Sequence, residues 1–110
     1  MWRPARLRFA NDAAIRGRTI ISGEETTMAL FMDTHTLDGP VALDDVAKAH
    51  AADLQTQDAH GVHYLRYWVD QERGKIFCLV DAPDAEAAHT VHREAHGLVA
   101  DEIYPVAEGA

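Results

Sequence analysis

Two adjacent apolar segments constrain the fold of this chain more than any other feature. Residues 62–69 (VHYLRYWV) are rich in aromatic and β-branched side chains, and residues 75–80 (KIFCLV) are nearly all apolar. Both compositions are typical of β-strands, and the second favours a central position in a sheet. The intervening segment, DQERG, ends in glycine and has the length of a hairpin loop. We therefore predict two antiparallel strands joined by a short turn.

The segments on either side of this hairpin each predict a helix and a strand. We predict a strand at residues 30–35, a helix at residues 43–60 that ends at Gly61, a helix from Asp84 to about residue 96, and an edge strand within residues 99–107. Pro105 restricts the last strand to an edge because proline has no N–H to donate. The order is the ferredoxin-like βαββαβ arrangement. The predicted fold class is α+β, with two helices on one face of a four-stranded antiparallel sheet.

The spacing of apolar residues predicts which surfaces are buried. The predicted buried stripes are Leu43, Val46, Ala47, His50 and Leu54 in the first helix, and Ala87, Val91, Ala95 and Leu98 in the second. Alternation along residues 62–69 places Tyr64, Arg66 and Trp68 on one face of the sheet, and Tyr67 and Val69 on the other. Both faces then carry large apolar groups, although the helices cover only one. We therefore predict a homodimer that forms through the open sheet face.

Charge is divided unevenly along the chain. The whole chain has a formal net charge of -8, and residues 28–110 hold 15 acidic and 5 basic residues. Residues 1–27 hold five arginines against three acidic residues and show no sustained helical or strand pattern. We predict that residues 1–27 form a poorly ordered extension and that residues 28–110 form the ferredoxin-like domain.

Composition also argues against several classes of function. An acidic surface repels phosphate, which disfavours nucleic acid as a partner. The chain has no apolar run of about 18 residues, so we expect no membrane span. Its single cysteine, Cys78, cannot close an intrachain disulfide. Residues 1–27 lack the apolar core of a secretory signal, so we do not expect export.

All seven histidines lie within residues 28–110, and three of them follow a helical spacing. His89, His92 and His96 are separated by three and four positions, so they share one face of the second helix. Neutral imidazole is a common ligand of divalent transition metals, and a pair four residues apart can chelate one ion. The same stripe is also compatible with a polar boundary of a buried helix.

Three further residues are candidates for the same site. His50 lies within an apolar stripe, where it is either an inward metal ligand or a core histidine hydrogen-bonded to a carboxylate such as Asp53. His35 ends the first strand in phase with Asp33. Cys78 lies in mid-strand, either as a small buried apolar residue or as a thiolate ligand.

Catalytic motifs are weak in this sequence. It contains neither a glycine-rich phosphate loop nor the H-E-x-x-H pattern of zinc proteases. An alternative to metal binding is an enzyme of the dimeric α+β-barrel type. Such an enzyme would use His35, Arg66 and Trp68 to act on a small organic substrate in a cleft at the sheet face.

Five motifs resemble a family of small bacterial nickel-binding proteins, long catalogued only as a domain of unknown function. They are FMDTH at residues 31–35, AHAADL at 49–54, YLRYW at 64–68, FCLV at 77–80 and VHREAHGLVADEI at 91–103. The last of these motifs is long and specific, whereas the others are short. The resemblance covers nearly all of residues 28–110 and none of residues 1–27.

The resemblance implies a dimeric, cytoplasmic, ferredoxin-like protein that binds Ni²⁺ and has no established reaction. The positions that match its motifs are His35, His50, Cys78, His92 and His96, and with His89 they form the predicted metal site. The donor types do not select nickel over Zn²⁺, Cu²⁺ or Co²⁺. The predicted role is sequestration or buffering rather than catalysis, and we predict no catalytic or organic-cofactor residues. Binding should weaken below about pH 6, because imidazole must be neutral to bind a metal.

Overall fold

A computed structural model describes residues 18–21 and 24–110. Strands β1 (Arg18–Ile21) and β2 (Glu24–Thr27) pair antiparallel in a two-stranded sheet. The predicted poorly ordered extension lies in large part outside the described residues, so it stays a prediction. None of the described helices is long and apolar enough to cross a membrane.

A second, four-stranded sheet carries the rest of the structure. Its strands are β3 (Ala29–Thr36), β4 (His63–Asp70), β5 (Lys75–Ala82) and β6 (Glu102–Pro105), in the order β4-β5-β3-β6 with every neighbouring pair antiparallel. Helix α1 (Leu43–Thr56) follows β3, and helix α2 (Ala85–Ala95) follows β5. Both helices contribute residues to one buried core on the same face of the sheet. The predicted ferredoxin-like βαββαβ fold is confirmed.

The ends of the helices follow local chemistry. The α-helix within residues 43–60 ends at Thr56, and a 3-10 helix (Gln57–His60) completes it before Gly61, whose φ of +66° suits glycine. Asp84 caps α2 as predicted, since its Oδ1 accepts a hydrogen bond of 2.8 Å from the Ala87 N–H.

A β-bulge in β4 overturns the alternation expected for this strand. Tyr64 pairs with Val80 and Arg66 pairs with Leu79, so Leu65 is an extra residue without a partner in the register. One inserted residue exchanges the faces of all side chains that follow it. The assignment of Tyr64 to the face of Arg66 and Trp68 was therefore wrong. Tyr64 lies in the helix-covered core, against which Tyr67 and Val69 also pack.

The buried faces of both helices also differ from those predicted. In α1, Leu43 and Leu54 are exposed, whereas Val46 and Asp53 are buried. In α2 the buried residues are Ala88, Val91 and His92, and Leu98 beyond the helix is exposed. Each helix is rotated so that one polar residue, rather than an additional apolar residue, faces the sheet. The reason lies in the contacts that these polar residues make.

Two features of the structure require glycine at Gly74, where the loop between β4 and β5 ends. Gly74 has a φ of +68°, and a Cβ atom there would collide with the carbonyl oxygen of Gly39. The two loops are also joined by a hydrogen bond of 2.8 Å from the Leu37 N–H to the Gly74 carbonyl. Gly61 has a similar φ, but space around it is open.

We predict that Gly74→Ala lowers the free energy of unfolding by about 3 kcal/mol, because strain and collision add, whereas Gly61→Ala lowers it by about 1 kcal/mol through strain alone. Urea unfolding of both variants measures the difference. Equal losses in the two variants would contradict the proposed collision.

Candidate metal centre

Six ligand-bearing residues form a cluster between the helices and the sheet: Asp33, His35, Asp53, Cys78, His92 and His96. At the centre of this cluster lies the imidazole ring of His92, which is 1% exposed. Its Nδ1 lies 2.9 Å from Asp53 Oδ1, and its Nε2 lies 3.0 Å from Asp33 Oδ2. Because carboxylate oxygens accept hydrogen bonds, both ring nitrogens donate and the ring is positively charged. Burial lowers the pKa of His92, but the contacts with Asp33 and Asp53 outweigh this effect and raise it to about 9.

The ligand-bearing residues converge because two adjacent strands and both helices meet at the helix-covered face of the sheet. Asp33 on β3 and Cys78 on β5 are paired in the sheet register, and His35 follows two residues later on the same face. Asp53 comes from the last turn of α1, and His92 comes from the last turn of α2. Residues far apart in the sequence therefore form one cluster at the helix–sheet interface.

Tyr64 supports the Asp33 carboxylate. Its hydroxyl donates to Asp33 Oδ2 over 2.9 Å, and the Ala88 carbonyl oxygen lies 3.3 Å away. Burial raises the pKa of Tyr64, and the nearby Asp33 charge raises it further, so the hydroxyl stays protonated. The bulge at Leu65 makes this contact possible because it allows Tyr64, Tyr67 and the core-facing residues of β5 to share one face.

Asp33 is fully buried and retains a free oxygen. Burial raises its pKa, but His35 and His92 lower it more, so the carboxyl group is ionised with a pKa below its ordinary value of 3.8. His35 Nε2 lies 3.2 Å from Asp33 Oδ1, without the alignment of a hydrogen bond. Within the described part of the chain, Asp33 Oδ1 and His35 Nδ1 are both buried without a hydrogen-bond partner. Buried polar atoms of this kind are rare in proteins unless water or an ion satisfies them.

Two groups of ligand atoms meet at His92. Asp33, His35, Cys78 and His92 form the first group, and all four are buried. Asp53, His92 and His96 form the second, in which His96 Nε2 lies 3.0 Å from Asp53 Oδ1. Within each group one ligand atom from every residue lies within 4.8 Å of all the others. Each group therefore has the compactness that a single metal ion requires.

A cavity of about 20 Å³ lies beside these groups. Its walls include five of the ligand-bearing residues, namely His35, Asp53, Cys78, His92 and His96. A cavity needs about 10–15 Å³ to hold one water molecule, whereas pockets for organic ligands measure about 300–1,000 Å³. This cavity therefore has room for a water molecule or an ion but not for an organic substrate.

Burial shifts the pKa values of the other titratable residues at the cavity in opposite directions. Burial raises the pKa of the Cys78 thiol, and the Asp33 charge raises it further, so the thiol is protonated when no metal ion is bound. Burial lowers the pKa values of His50 and His96, with Asp53 opposing the shift, so both imidazoles are neutral at pH 7.

The structure brings together some of the predicted metal residues and separates others. His35, Cys78 and His92 lie in the first group, and His96 lies in the second. Among the described residues, neither group includes His50 or His89. The His50 ring lines the cavity and packs against Tyr67 with centroids 4.7 Å apart. His89 is half-buried, and its Nδ1 has no hydrogen-bond partner within the part of the chain that the structure describes.

Three contributors to the site were not predicted as site residues. Asp33 alternates with His35, so the strand pattern contained a signal for it. Asp53 lies seven residues after Val46, on the same helix face, but an acidic residue in a helix is usually exposed. It contacts His92 and His96 rather than the expected His50. Tyr64 had no sequence signal because the bulge that turns it inward is not visible in the apolar pattern.

The residues of the alternative enzyme site do not converge. His35 faces the helices, whereas Arg66 and Trp68 lie on the open face of the sheet. A cavity of about 410 Å³ on that face is lined mainly by apolar side chains, with Arg66 and Glu108 as its charged residues.

We predict that the cluster gives the metal-free protein a characteristic dependence of stability on pH. The raised pKa of His92 contributes stability that is complete below about pH 6.5 and is lost as the pH rises through about 9. The lowered pKa of Asp33 contributes stability above about pH 3.8 that is lost as the pH falls further. Urea unfolding between pH 3 and 10 measures the profile.

Two variants test whether His92 causes the loss of stability at alkaline pH. His92→Gln should remove this loss, whereas His63→Gln, at an exposed residue, should retain it. An unchanged profile in His92→Gln would contradict the role given to His92.

A known protein family matches the part of the chain that contains the buried cluster. A family model described as nickel responsive protein SCO4226-like matches residues 31–106. The crystal structure of SCO4226 from Streptomyces coelicolor A3(2) is similar to this chain, with a TM-score of 0.70 and 40% sequence identity over 74% of this chain and 100% of that one. None of the curated proteins matches the chain significantly. The buried cluster lies entirely within the region that the family model matches.

Proposed function

The chain belongs to the SCO4226-like family of nickel-responsive proteins, and on that premise we propose that its buried cluster binds Ni²⁺. One observation carries the proposal: Asp33, His35, Cys78 and His92 are all buried, with ligand atoms within 4.8 Å of one another. Buried ionisable groups are costly to maintain unless they are paired or hold a metal. Their convergence supports a metal site rather than a general apolar core.

The residues present fit a divalent transition metal. Asp33 Oδ1 and His35 Nδ1, two of the three buried side-chain atoms without a hydrogen-bond partner among the described residues, are both ligand-type atoms. Imidazole suits nickel, copper and zinc, and a thiolate favours soft or borderline ions. Zn²⁺, Cu²⁺ and Co²⁺ suit the same donors, so nickel is proposed on the strength of the family. The excess of acidic residues in 28–110 also favours a cation as partner.

We propose sequestration or buffering of the ion in the cytoplasm as the role of this site. An ion held by Asp33, His35 and Cys78 would lie between the sheet and both helices, with the cavity of about 20 Å³ beside it. When bound, it would supply a positive charge that replaces the protons now on His92 and Cys78. Binding of this kind stores the ion, and enclosure slows its exchange with solvent.

We predict that the full chain binds Ni²⁺ more tightly than millimolar, and that the affinity rises with pH up to about 9, because the ion must displace the His92 proton. This range lies above the pH of about 6 expected for an ordinary histidine. Isothermal titration calorimetry at several pH values, in buffers of different ionisation enthalpy, measures both the affinity and the released protons.

Substitutions distinguish nickel binding by the buried cluster from binding by surface histidines. His35→Gln and Cys78→Ser should each weaken binding by at least about 10-fold, as expected for the loss of a ligand. His63→Gln is the matched control because His63 is exposed and lies outside both groups. The proposal is refuted by binding no tighter than millimolar, or by equal effects of the cluster variants and the control.

We also propose that the protein forms a homodimer through the open face of the sheet. A row of paired residues crosses all four strands on this face: Arg66, Leu79, Met32 and Tyr104. Trp68 lies beside this row and is 45% exposed. A row that is apolar apart from the arginine on its edge strand, with an exposed tryptophan beside it, is typical of an association surface.

We predict a dimeric mass at micromolar concentration by light scattering. Trp68→Glu should shift the protein to the monomer because it places a charge in the apolar interface. Leu54→Glu is the matched control, since Leu54 has similar exposure but lies on α1. A monomeric wild-type protein would contradict the proposal.

A further inference from the structure

We propose that the cavity on the open face of the sheet binds a small organic carboxylate with an apolar body. This site is separate from the buried cluster, and it does not depend on metal binding. Its volume is about 410 Å³, and pockets for small organic ligands measure about 300–1,000 Å³. The cavity on the open face is therefore large enough for such a molecule, whereas the cavity beside the cluster is not.

The floor of this cavity is apolar. It is formed by Leu30 and Met32 on β3 and by Leu79 on β5, on the face that the helices do not cover. Leu30 is buried, whereas Met32 and Leu79 are half-buried. An apolar group that displaces water from such side chains gains free energy in proportion to the area it covers. The floor therefore fits the hydrocarbon part of a ligand.

The two walls of the cavity come from opposite edges of the sheet. Arg66 and Trp68 on β4 form one wall, and residues 106–108, which follow β6, form the other. The Val106 N–H donates a hydrogen bond of 2.9 Å to the Leu30 carbonyl, which holds the start of this segment against the sheet. Because β5 and β3 lie between the walls, the edge strands are about 14 Å apart. A ligand would lie across the two central strands.

The Arg66 guanidinium supplies a positive charge at one wall. Its Cζ lies 5.7 Å from the centroid of the Trp68 ring. Stacking of this kind uses the flat face of a guanidinium and leaves its N–H groups available to an acceptor. Among the described residues, the ion pairs of arginine involve Arg73 and Arg93, and none includes Arg66. Since a guanidinium binds a carboxylate through two parallel hydrogen bonds, Arg66 is suited to hold the carboxylate of the ligand.

The other charges near the cavity favour a ligand with a single negative charge. Glu108 lies on the wall opposite Arg66, and the whole chain has a net charge of -8. A phosphate monoester, which carries about two negative charges, would be repelled more strongly than a carboxylate. The carboxylate end of the ligand would therefore lie at Arg66, and the apolar end would point towards residues 106–108.

The site is compatible with the proposed homodimer. Packing of two open faces would cover the apolar floor, whereas Arg66 is exposed on an edge strand. The carboxylate would then lie at the rim of the interface, with the apolar part of the ligand shielded from water. Ligand pockets commonly enclose about 70–90% of the ligand surface, and a second copy would supply that enclosure.

Isothermal titration calorimetry of the full chain with hexanoate, octanoate and 1-octanol tests the proposal. We expect octanoate to bind with a dissociation constant below about 1 mM. The affinity should rise about 4-fold for each methylene group added between hexanoate and octanoate, because the apolar floor takes up the chain. Octanol should bind more weakly than octanoate because it has no charge to pair with Arg66. Octanoate binding weaker than about 1 mM, or an affinity that does not depend on chain length, would overturn the proposal.

Substitutions test the role of the two charged residues. Arg66→Gln should weaken octanoate binding by about 10-fold, as expected for the loss of a hydrogen bond to a charged group, and should leave octanol binding unchanged. Glu108→Gln should tighten octanoate binding because it removes a negative charge from the cavity. Arg73→Gln is the matched control, since Arg73 is exposed and lies outside the cavity. Equal effects of Arg66→Gln and Arg73→Gln on octanoate binding, or an equal loss of octanol binding in Arg66→Gln, would overturn the proposal.

Light scattering with and without octanoate distinguishes a ligand in the cavity from a second copy of the chain that fills it. We expect the same mass in both samples, because the ligand and the second copy occupy different parts of the open face. A lower mass on addition of octanoate would mean that the two compete for the cavity, and it would overturn the proposal that the carboxylate is its occupant.

Discussion

The ion pair between the His92 imidazolium and two buried carboxylates determines how the helices sit on the sheet. Asp33 belongs to β3, Asp53 to α1 and His92 to α2, so one charged ring contacts all three elements. Removing one partner from such a buried pair typically costs about 3–5 kcal/mol, because the remaining charge is uncompensated. A rotation of either helix would leave a buried charge without its partner. The apolar core therefore drives burial, whereas the ion pair fixes the orientation of both helices.

This constraint explains why the order of elements was predictable but the buried faces were not. The strands at residues 62–69 and 75–80 were evident from composition, and alternation correctly linked Asp33 with His35. The helix predictions filled the inward positions with apolar residues and His50, yet Asp53 and His92 are buried whereas Leu54 and Leu98 are exposed. Each polar residue is acceptable inside only because the other is present. A one-dimensional pattern does not contain that pairing, which depends on a contact between residues 39 positions apart.

The bulge in β4 is a second feature that depends on a contact between distant residues and is not visible in the sequence pattern. Leu65 has no signal for a bulge, since it is neither glycine nor proline, and strict alternation would have placed Tyr64 away from the helices. Its inward position is stabilised by the hydrogen bond to Asp33, the same carboxylate that accepts from His92. The predicted residues that join the cluster are of obvious ligand type. The contact of Tyr64 with Asp33, and those of Asp53 with His92 and His96, were identified only from the structure.

The atoms that hold the helices are also the candidate ligands, so the proposed metal binding would depend on the same contacts as the fold. A proton on each nitrogen of His92 joins the ring to Asp33 and Asp53, and a bound cation would have to displace such a proton from any nitrogen that it contacts. Any ion that binds the folded chain and not the unfolded chain stabilises the fold by an amount that grows with the logarithm of the ion concentration over the dissociation constant. In the metal-free protein, the two protons of the His92 ring hold the cluster together through their hydrogen bonds to Asp33 and Asp53. On the proposed function, protons and the metal ion would compete for His92, so the pH would set how tightly the ion is held.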